Sequence, residues 1–310
     1  MNRLAIIVPC LNEEEILPHT IGVLSNLLTD MVAGGEVSPG SFLLLVDDGS
    51  CDSTWQLISA HASPTVKGVS LSHRCGQQIA LLAGLEEALP EAEMFITIDA
   101  DLQDDVSVIP EMVKAHEDGA DIVYGVRRDR NKDSWMKKNT ASMFYSTMRH
   151  LGVDCVSNHA DFRLMSSRAV TDLLDYKERN LYLRGLVPML GYRQACVFYD
   201  RKPRLAGQSK YPVRKMFDFA IDGITSFSVR PVRMLFWLGI IFTLTAFGIG
   251  IYSLIRHFTG ETIAGWTSLM LSIWFCTGVL LMGLGIIGEY IGKIYIEVKK
   301  RPRYKVAGRV

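Results

Sequence analysis

The sequence predicts an α/β protein: a mostly parallel sheet domain followed by a C-terminal hairpin of two transmembrane helices. Three observations carry this. Short apolar runs alternate with helix-patterned stretches through the first 126 residues. Two long uncharged runs lie near the C-terminus. The 33 basic and 33 acidic residues cancel over 310 positions, yet they are segregated: net −16 over residues 1–126, +11 over 127–233 and +5 over 234–310. A chain that is 48% hydrophobic and 21% charged is not disordered. Its zero sum argues against a nucleic-acid partner. That sum averages an acidic half and a basic half, so it excludes no other charged partner.

RLAIIVP (3–9), FLLLVDD (42–48), KGVSLS (67–72), MFITIDAD (94–101) and ADIVYG (120–125) read as strands. Between them, 14–28, 53–62, 76–89 and 108–117 carry helical spacing. Such alternation gives a parallel sheet covered on both faces, whose ligands bind beyond the carboxyl ends of the strands. Residues 1–211 are expected to form this cytosolic catalytic domain. Two amphipathic stretches follow the strands, 134–152 and 213–233. The second places Phe217, Ile221, Ile224 and Phe227 along one face, which predicts a juxtamembrane helix at 212–233.

The uncharged runs come next. Met234 to Ile255 is 22 residues and Thr262 to Gly288 is 27. At ~1.5 Å per residue each reaches across a hydrocarbon core of about 30 Å. Two spans, at about 234–255 and 265–288 within 234–296, are therefore expected. Lys299, Lys300, Arg301, Arg303, Lys305 and Arg309 make 297–310 a basic tail, whereas the loop between the spans carries Arg256 opposed by Glu261. Basic residues favour the cytoplasmic side, so the catalytic domain and both termini are expected inside, on a multi-pass inner-membrane protein. Met1-Asn2-Arg3 leads straight into a strand, with no secretory core before it. The six cysteines show no metal-ligand spacing and read as reduced thiols. His73 and His159 lie near the motifs below without any chemistry assigned to them.

The acids cluster at strand ends. Asp99-Ala-Asp101-Leu102-Gln103-Asp104 follows one apolar run, and Asp47-Asp48-Gly49-Ser50-Cys51-Asp52 ends another. Hard divalent cations need clustered oxygen ligands, and Mg²⁺ is commonly held by one or two carboxylates plus substrate phosphates. Adjacent acids such as Asp47 and Asp48 repel unless donors or a cation meet them.

Taken in order, Pro9-x-x-Asn12-Glu13-Glu14, Asp47-Asp48-Gly49-Ser50-x-Asp52 and Asp99-Ala-Asp101-Leu102-Gln103-Asp104 resemble family 2 glycosyltransferases with a GT-A fold. Asp161-Phe162-Arg163-Leu164-Met165 and Arg201-x-x-Arg204-x-x-Gly207-x-Ser209-Lys210-Tyr211 narrow the resemblance to the polyprenyl-phosphate branch. Cys51, Ser53, Cys75 and Asp105-Val106 depart from the usual pattern without touching the acids or the basic residues.

The resemblance implies inverting transfer of one hexose from a nucleoside-diphosphate sugar, UDP-glucose foremost, to a polyprenyl phosphate. It implies a divalent metal, Mg²⁺ or Mn²⁺, on Asp99, Asp101 and Gln103, and a donor pocket of Pro9, Asn12, Glu13, Asp47, Asp48 and Asp99. Arg163, Arg201, Arg204, Ser209 and Lys210 are the implied acceptor-phosphate clamp, with Asp101, Asp161 and Arg163 nearest the chemistry. A homo-oligomer at the membrane is also implied. A processive polysaccharide synthase and a non-enzymatic membrane scaffold are the competing readings; the chain lacks the Gln-x-x-Arg-Trp motif of the former.

Overall fold

The computed structural model describes residues 1–128, 159–179, 183–200 and 265–310, with scattered positions between 232 and 259. The stretch 134–152, nearly all of 213–233, and Arg201, Arg204, Ser209 and Lys210 lie outside the described residues.

Two compact units divide the chain. The first holds an eight-stranded sheet, β1 (Leu4–Cys10), β2 (Phe42–Asp47), β3 (Val66–Leu71), β4 (Met94–Thr97), β5 (Ile122–Arg127), β6 (His159–Ser166), β7 (Gln194–Tyr199) and β8 (Val306–Arg309). Their order is β7-β5-β6-β4-β1-β2-β3-β8. Only β6 and β8 run against the rest. All five strands read from the sequence are present, in a mostly parallel sheet. β1 and β2 are apolar almost throughout because both of their faces are covered. Leu4, Ile6 and Val8 point into a core shared with Leu17, Ile21, Leu24 and Leu28 of α1 (Leu17–Ala33). Ile7 and Val46 meet Gly84 of α3 (Gln77–Ala88) on the other face. α2 (Thr54–Ala60), α4 (Ile109–Glu117), α5 (Ser167–Asp175) and α6 (Leu183–Met189) complete the cover.

Pro9 sets the geometry of the cleft. The Ile98 N–H donates to the Ile7 carbonyl at 3.1 Å. In a parallel ladder the next bond runs from residue 9 to the Ile98 carbonyl, and proline has no N–H to give. The β1–β4 pairing therefore ends at Ile7↔Thr97, while β1–β2 continues to Cys10↔Asp47. The two carboxyl ends part where Asp99 begins.

The last residues, expected as a basic tail, add a strand. β8 pairs antiparallel with edge strand β3, and Gly68 and Val310 exchange both backbone bonds at 2.9 Å. Arg309 grips Glu87 through Nε at 2.7 Å and Nη2 at 3.1 Å. Four residues are too few to show a period, so the sequence pattern carries no trace of this strand.

In the second unit α7 (Trp266–Val298) is a 33-residue helix. Within it, Phe275–Val298 is long and apolar enough to cross a membrane. Leu280, Leu281, Met282 and Leu284 are each more than 60% exposed, as lipid-facing side chains would be. The described positions between 232 and 255 are helical as well.

Candidate active site

The exit loops of β1, β2 and β4 carry the acidic motifs to one end of the sheet, where the loop after β3 joins them. Beyond β1, Asn12 takes a left-handed backbone, φ 54°, which asparagine tolerates better than most residues. Its Oδ1 accepts from the Cys51 N–H at 2.9 Å, and its own N–H donates to Ser50 Oγ at 3.0 Å. Glu13 N–H donates to Thr54 Oγ1 at 2.9 Å, and Glu14 and Asp52 accept from Ser53 and Thr54. The 11–14 and 49–54 loops are thus tied into one wall.

Asp47 and Asp48, both 2% exposed, meet donors rather than each other. Asp47 accepts from the Ser50 N–H at 3.1 Å and from Ser70 Oγ at 2.9 Å. Asp48 accepts from the Cys75 and Gly76 N–H groups at 2.6 and 2.9 Å. These bonds fix the loop after β3 against the loop after β2. Asp47 and Asp48, expected from the sequence to line a donor pocket, thus lie behind the surface of this wall and hold its loops together.

Asp99 and Asp101 stand in the turn after β4, both partly exposed. Leu102 follows with φ 45°, a strained conformation for a residue with a branched side chain. The Gln103 N–H closes the turn onto Asp101 Oδ1 at 3.3 Å, and the Gln103 side chain is buried. Asp99 accepts from Gln77 Nε2 at 2.7 Å. Burial pushes the Asp99 carboxyl up to about 7, reinforced by Asp161, Asp104 and Asp101 and opposed by Arg184. Crowded carboxylates of this kind fit a divalent cation, which relieves their repulsion. Among the described residues no group of three or more His, Cys, Asp or Glu is arranged to hold a metal. Two carboxylates, with phosphate and water completing the shell, are a donor set that Mg²⁺ commonly accepts.

Asp104, at the same turn, is engaged elsewhere. It accepts from Arg127 Nε and Nη2 at 3.1 and 2.8 Å and from the Tyr199 hydroxyl at 2.6 Å. It anchors the turn to β5 and β7.

The β4–β6 register, Ile96↔Leu164 and Thr97↔Arg163, places Asp161 opposite Asp99 when continued two residues. Asp161 receives Arg163 Nη2 at 2.6 Å and both Nε and Nη2 of Arg184, at 3.2 and 3.1 Å. Arg163, named from the sequence as a phosphate clamp, is 1% exposed, with Nη1 on the Leu183 carbonyl at 3.3 Å. A guanidinium so enclosed has no face for a phosphate; it braces Asp161. Burial draws its proton affinity down while Asp161 and Tyr124 sustain it. Arg184, whose side chain is 41% exposed, is the member of this cluster that solvent reaches. Sequence reasoning missed it, because it lies 23 residues from the carboxylate it binds, in a stretch without motif or period. The rest of the expected clamp lies outside the described residues.

Known proteins resemble this chain along most of its length. The profile of Glycosyl transferase family 2 matches residues 5–174, and one described as the GtrB C-terminal hairpin matches residues 230–294. The uncharacterized glycosyltransferase YkoT of Bacillus subtilis is 48% identical over 305 residues, covering 98% of this chain and 90% of that protein. The uncharacterized glycosyltransferase sll0501 of Synechocystis sp. is 40% identical, covering 98% and 95%. An SfII prophage-derived bactoprenol glucosyl transferase of Shigella flexneri is 37% identical over 307 residues, covering 97% and 96%.

Proposed function

We propose, from the premise that this chain belongs to glycosyltransferase family 2, that it moves one glucosyl group from a nucleoside-diphosphate sugar to a polyprenyl phosphate. The observation that carries the reading is the Asp99–Asp101 turn in the cleft that Pro9 opens between β1 and β4, beside Asp161 and Arg184. Full-length similarity to a bactoprenol glucosyl transferase supports the acceptor, and the matched hairpin supports a membrane location.

UDP-glucose is the proposed donor. Asn12, Glu13 and the loops pinned by Asp47 and Asp48 would cradle its nucleoside. Asp99 and Asp101, with Gln103 beside them, would hold Mg²⁺ or Mn²⁺, which supplies Lewis-acid stabilisation of the charge on the departing diphosphate. The acceptor monophosphate, with a second pKa near ~6, is already an anion at neutral pH. It therefore needs positioning more than deprotonation. Arg201, Arg204, Ser209 and Lys210 are the proposed clamp for it, arginine being suited to forked phosphate contacts. Asp161, held by two arginines, is an orienting carboxylate in this reading and not a base. Direct attack by the phosphate on the sugar carbon inverts its configuration. We place the catalytic unit and both termini on the cytoplasmic side, with two membrane crossings, and the active protein as a homo-oligomer.

The test is to incubate the purified full-length chain with undecaprenyl phosphate, Mn²⁺ and labelled UDP- and GDP-hexoses. A single-sugar lipid product from UDP-glucose is expected. No lipid-linked product with any donor refutes the function, and a polymer refutes single transfer.

A further inference from the structure

The turn that carries Asp99 and Asp101 is held from α1 as well as from β5 and β7. Thr20 lies on α1 and is fully enclosed, at 0% exposure. Its Oγ1 donates to the Ala100 carbonyl at 2.7 Å, across 80 residues of sequence. The same hydroxyl lies 3.2 Å from the Ile16 carbonyl, the usual helical partner of a threonine. That carbonyl already accepts the Thr20 N–H at 3.1 Å, and a hydroxyl has one proton to give. The shorter, long-range contact takes it.

Ala100 stands between the two carboxylates. Its carbonyl belongs to the peptide unit that contains the Asp101 nitrogen, and a peptide unit is planar. Holding that oxygen therefore holds the plane in which the Asp101 Cα lies. On the far side of Asp101, Leu102 keeps φ 45°. A non-glycine residue stays in such a conformation only where its surroundings enforce it. Here the Leu102 N–H donates to the Asp99 carbonyl at 3.4 Å and its side chain is buried in the core. Asp104 is tied to Arg127 and Tyr199. Asp101 is thus gripped before it, at Ala100, and after it, at Asp104. We propose that the Thr20 hydroxyl is a positioning group for divalent-cation binding at this turn, setting the direction of Asp101 relative to Asp99. Thr20 meets neither ion nor substrate, because no part of it reaches the surface. An ion with two carboxylate ligands has little other protein to compensate when one is misdirected. Groups that orient metal ligands are worth about 10–100-fold in affinity or activity. The inference rests on the metal-assisted transfer reading above.

The test uses the full-length protein in detergent and three variants, Thr20→Val, Thr20→Ser and Leu27→Ala. Mn²⁺ binding is read directly from the free-ion electron paramagnetic resonance signal with UDP present, against a protein-free control. Melting temperatures are taken without metal. Thr20→Val keeps the shape and removes the donor, so it should bind Mn²⁺ about 10–100-fold more weakly. Thr20→Ser keeps the hydroxyl and should stay within about threefold of wild type, well short of that range. Leu27 packs on the core from the same helix. Leu27→Ala should therefore lower the melting temperature and leave Mn²⁺ affinity in place. In the transfer assay with undecaprenyl phosphate and UDP-glucose, raising Mn²⁺ should recover the rate of Thr20→Val. Wild-type Mn²⁺ affinity in Thr20→Val overturns the inference. So does an equal loss of affinity in Thr20→Ser or in Leu27→Ala, since the effect then belongs to packing. A wild-type protein that binds no Mn²⁺ with UDP defeats the metal reading itself, and the inference falls with it.

Discussion

Gly49→Ala tests whether the wall proposed to cradle the donor is held from behind, as the geometry of Asp48 implies. Gly49 has φ +69°, and a Cβ built on it lies 2.7 Å from both the Arg74 nitrogen and the His73 carbonyl carbon. Both are backbone atoms, so no side chain can swing aside. The left-handed conformation alone costs alanine about 1–2 kcal/mol. For a domain of this size that lowers Tm by about 2–8 °C. Displacing residues 73–74 adds to the loss and drags Cys75 and Gly76, whose N–H groups hold Asp48, away from it. The control is Gly191→Ala. Gly191 has a nearly equal φ, +73°, but nothing lies within 4 Å of its Cβ position, and it precedes β7 at the opposite sheet edge. The assay is thermal unfolding of both variants in detergent, with UDP titration in Mn²⁺. Gly191→Ala should show the backbone cost alone and wild-type UDP affinity. Gly49→Ala should melt lower still and bind UDP at least about tenfold more weakly, ~1.4 kcal/mol. Equal melting temperatures and equal affinities for the two variants would refute the reasoning.

Other outcomes follow from the same contacts. Asp101→Ala, at a partly exposed turn position, should abolish transfer with little change in melting temperature. Chelation of divalent ions should do the same to wild type, reversibly on adding Mn²⁺; activity that survives both argues against the metal reading. Asp104→Asn keeps Oδ1, the oxygen that accepts from Arg127 Nε, Arg127 Nη2 and the Tyr199 hydroxyl, but removes its charge, and should cost about 1–3 kcal/mol, read as a lowered urea midpoint. Asp121 is held below the usual carboxylate range, first by its bond from Arg168, then by Ser166. Its folded pKa lies below the unfolded value of about 3.9. Its contribution is therefore present above that value and lost as pH falls through the folded pKa. Melting temperatures taken from pH 6 down to 3 should fall less steeply in Asp121→Asn than in wild type, and parallel curves would contradict this. Deleting residues 305–310 strips β8 from β3 and should lower stability and promote aggregation through the bared edge, seen as light scattering on heating.

The first five strands and four helices were legible because parallel strands covered on both faces read as unbroken apolar runs, set off by helical spacing. β6 was not. HADFRLMS carries a buried carboxylate and a buried guanidinium in its middle, and their pairing is invisible to any hydropathy pattern. β7 lies at a sheet edge, with exposed residues interrupting QACVFY. Half of the site was legible for a related reason. Acids placed just beyond apolar runs fall at strand ends, so Asp47, Asp48, Asp99 and Asp101 were read correctly as to place. Burial was not legible. The resemblance made Arg163 part of a phosphate clamp, and only the fold shows it enclosed, with Arg184 at the exposed position.

Sheet membership also bears on topology. β8 is bonded to β3, in the sheet whose other strands carry the site, so the two lie on one side of any bilayer. The proposed arrangement with two crossings meets this condition, because a second crossing returns the chain to the side it left. A single crossing would leave β8 on the wrong face. The uncharged run from Met234 to Ile255 has the length for the proposed first crossing, since 22 residues would reach about 33 Å as a helix. The basic residues Lys299, Lys300, Arg301, Arg303 and Lys305 lie between the end of α7 and β8. Covalent adjacency to β8 thus ties them to the unit that holds the sheet, which in the proposed orientation lies on the side that the charge rule assigns to basic residues for an independent reason.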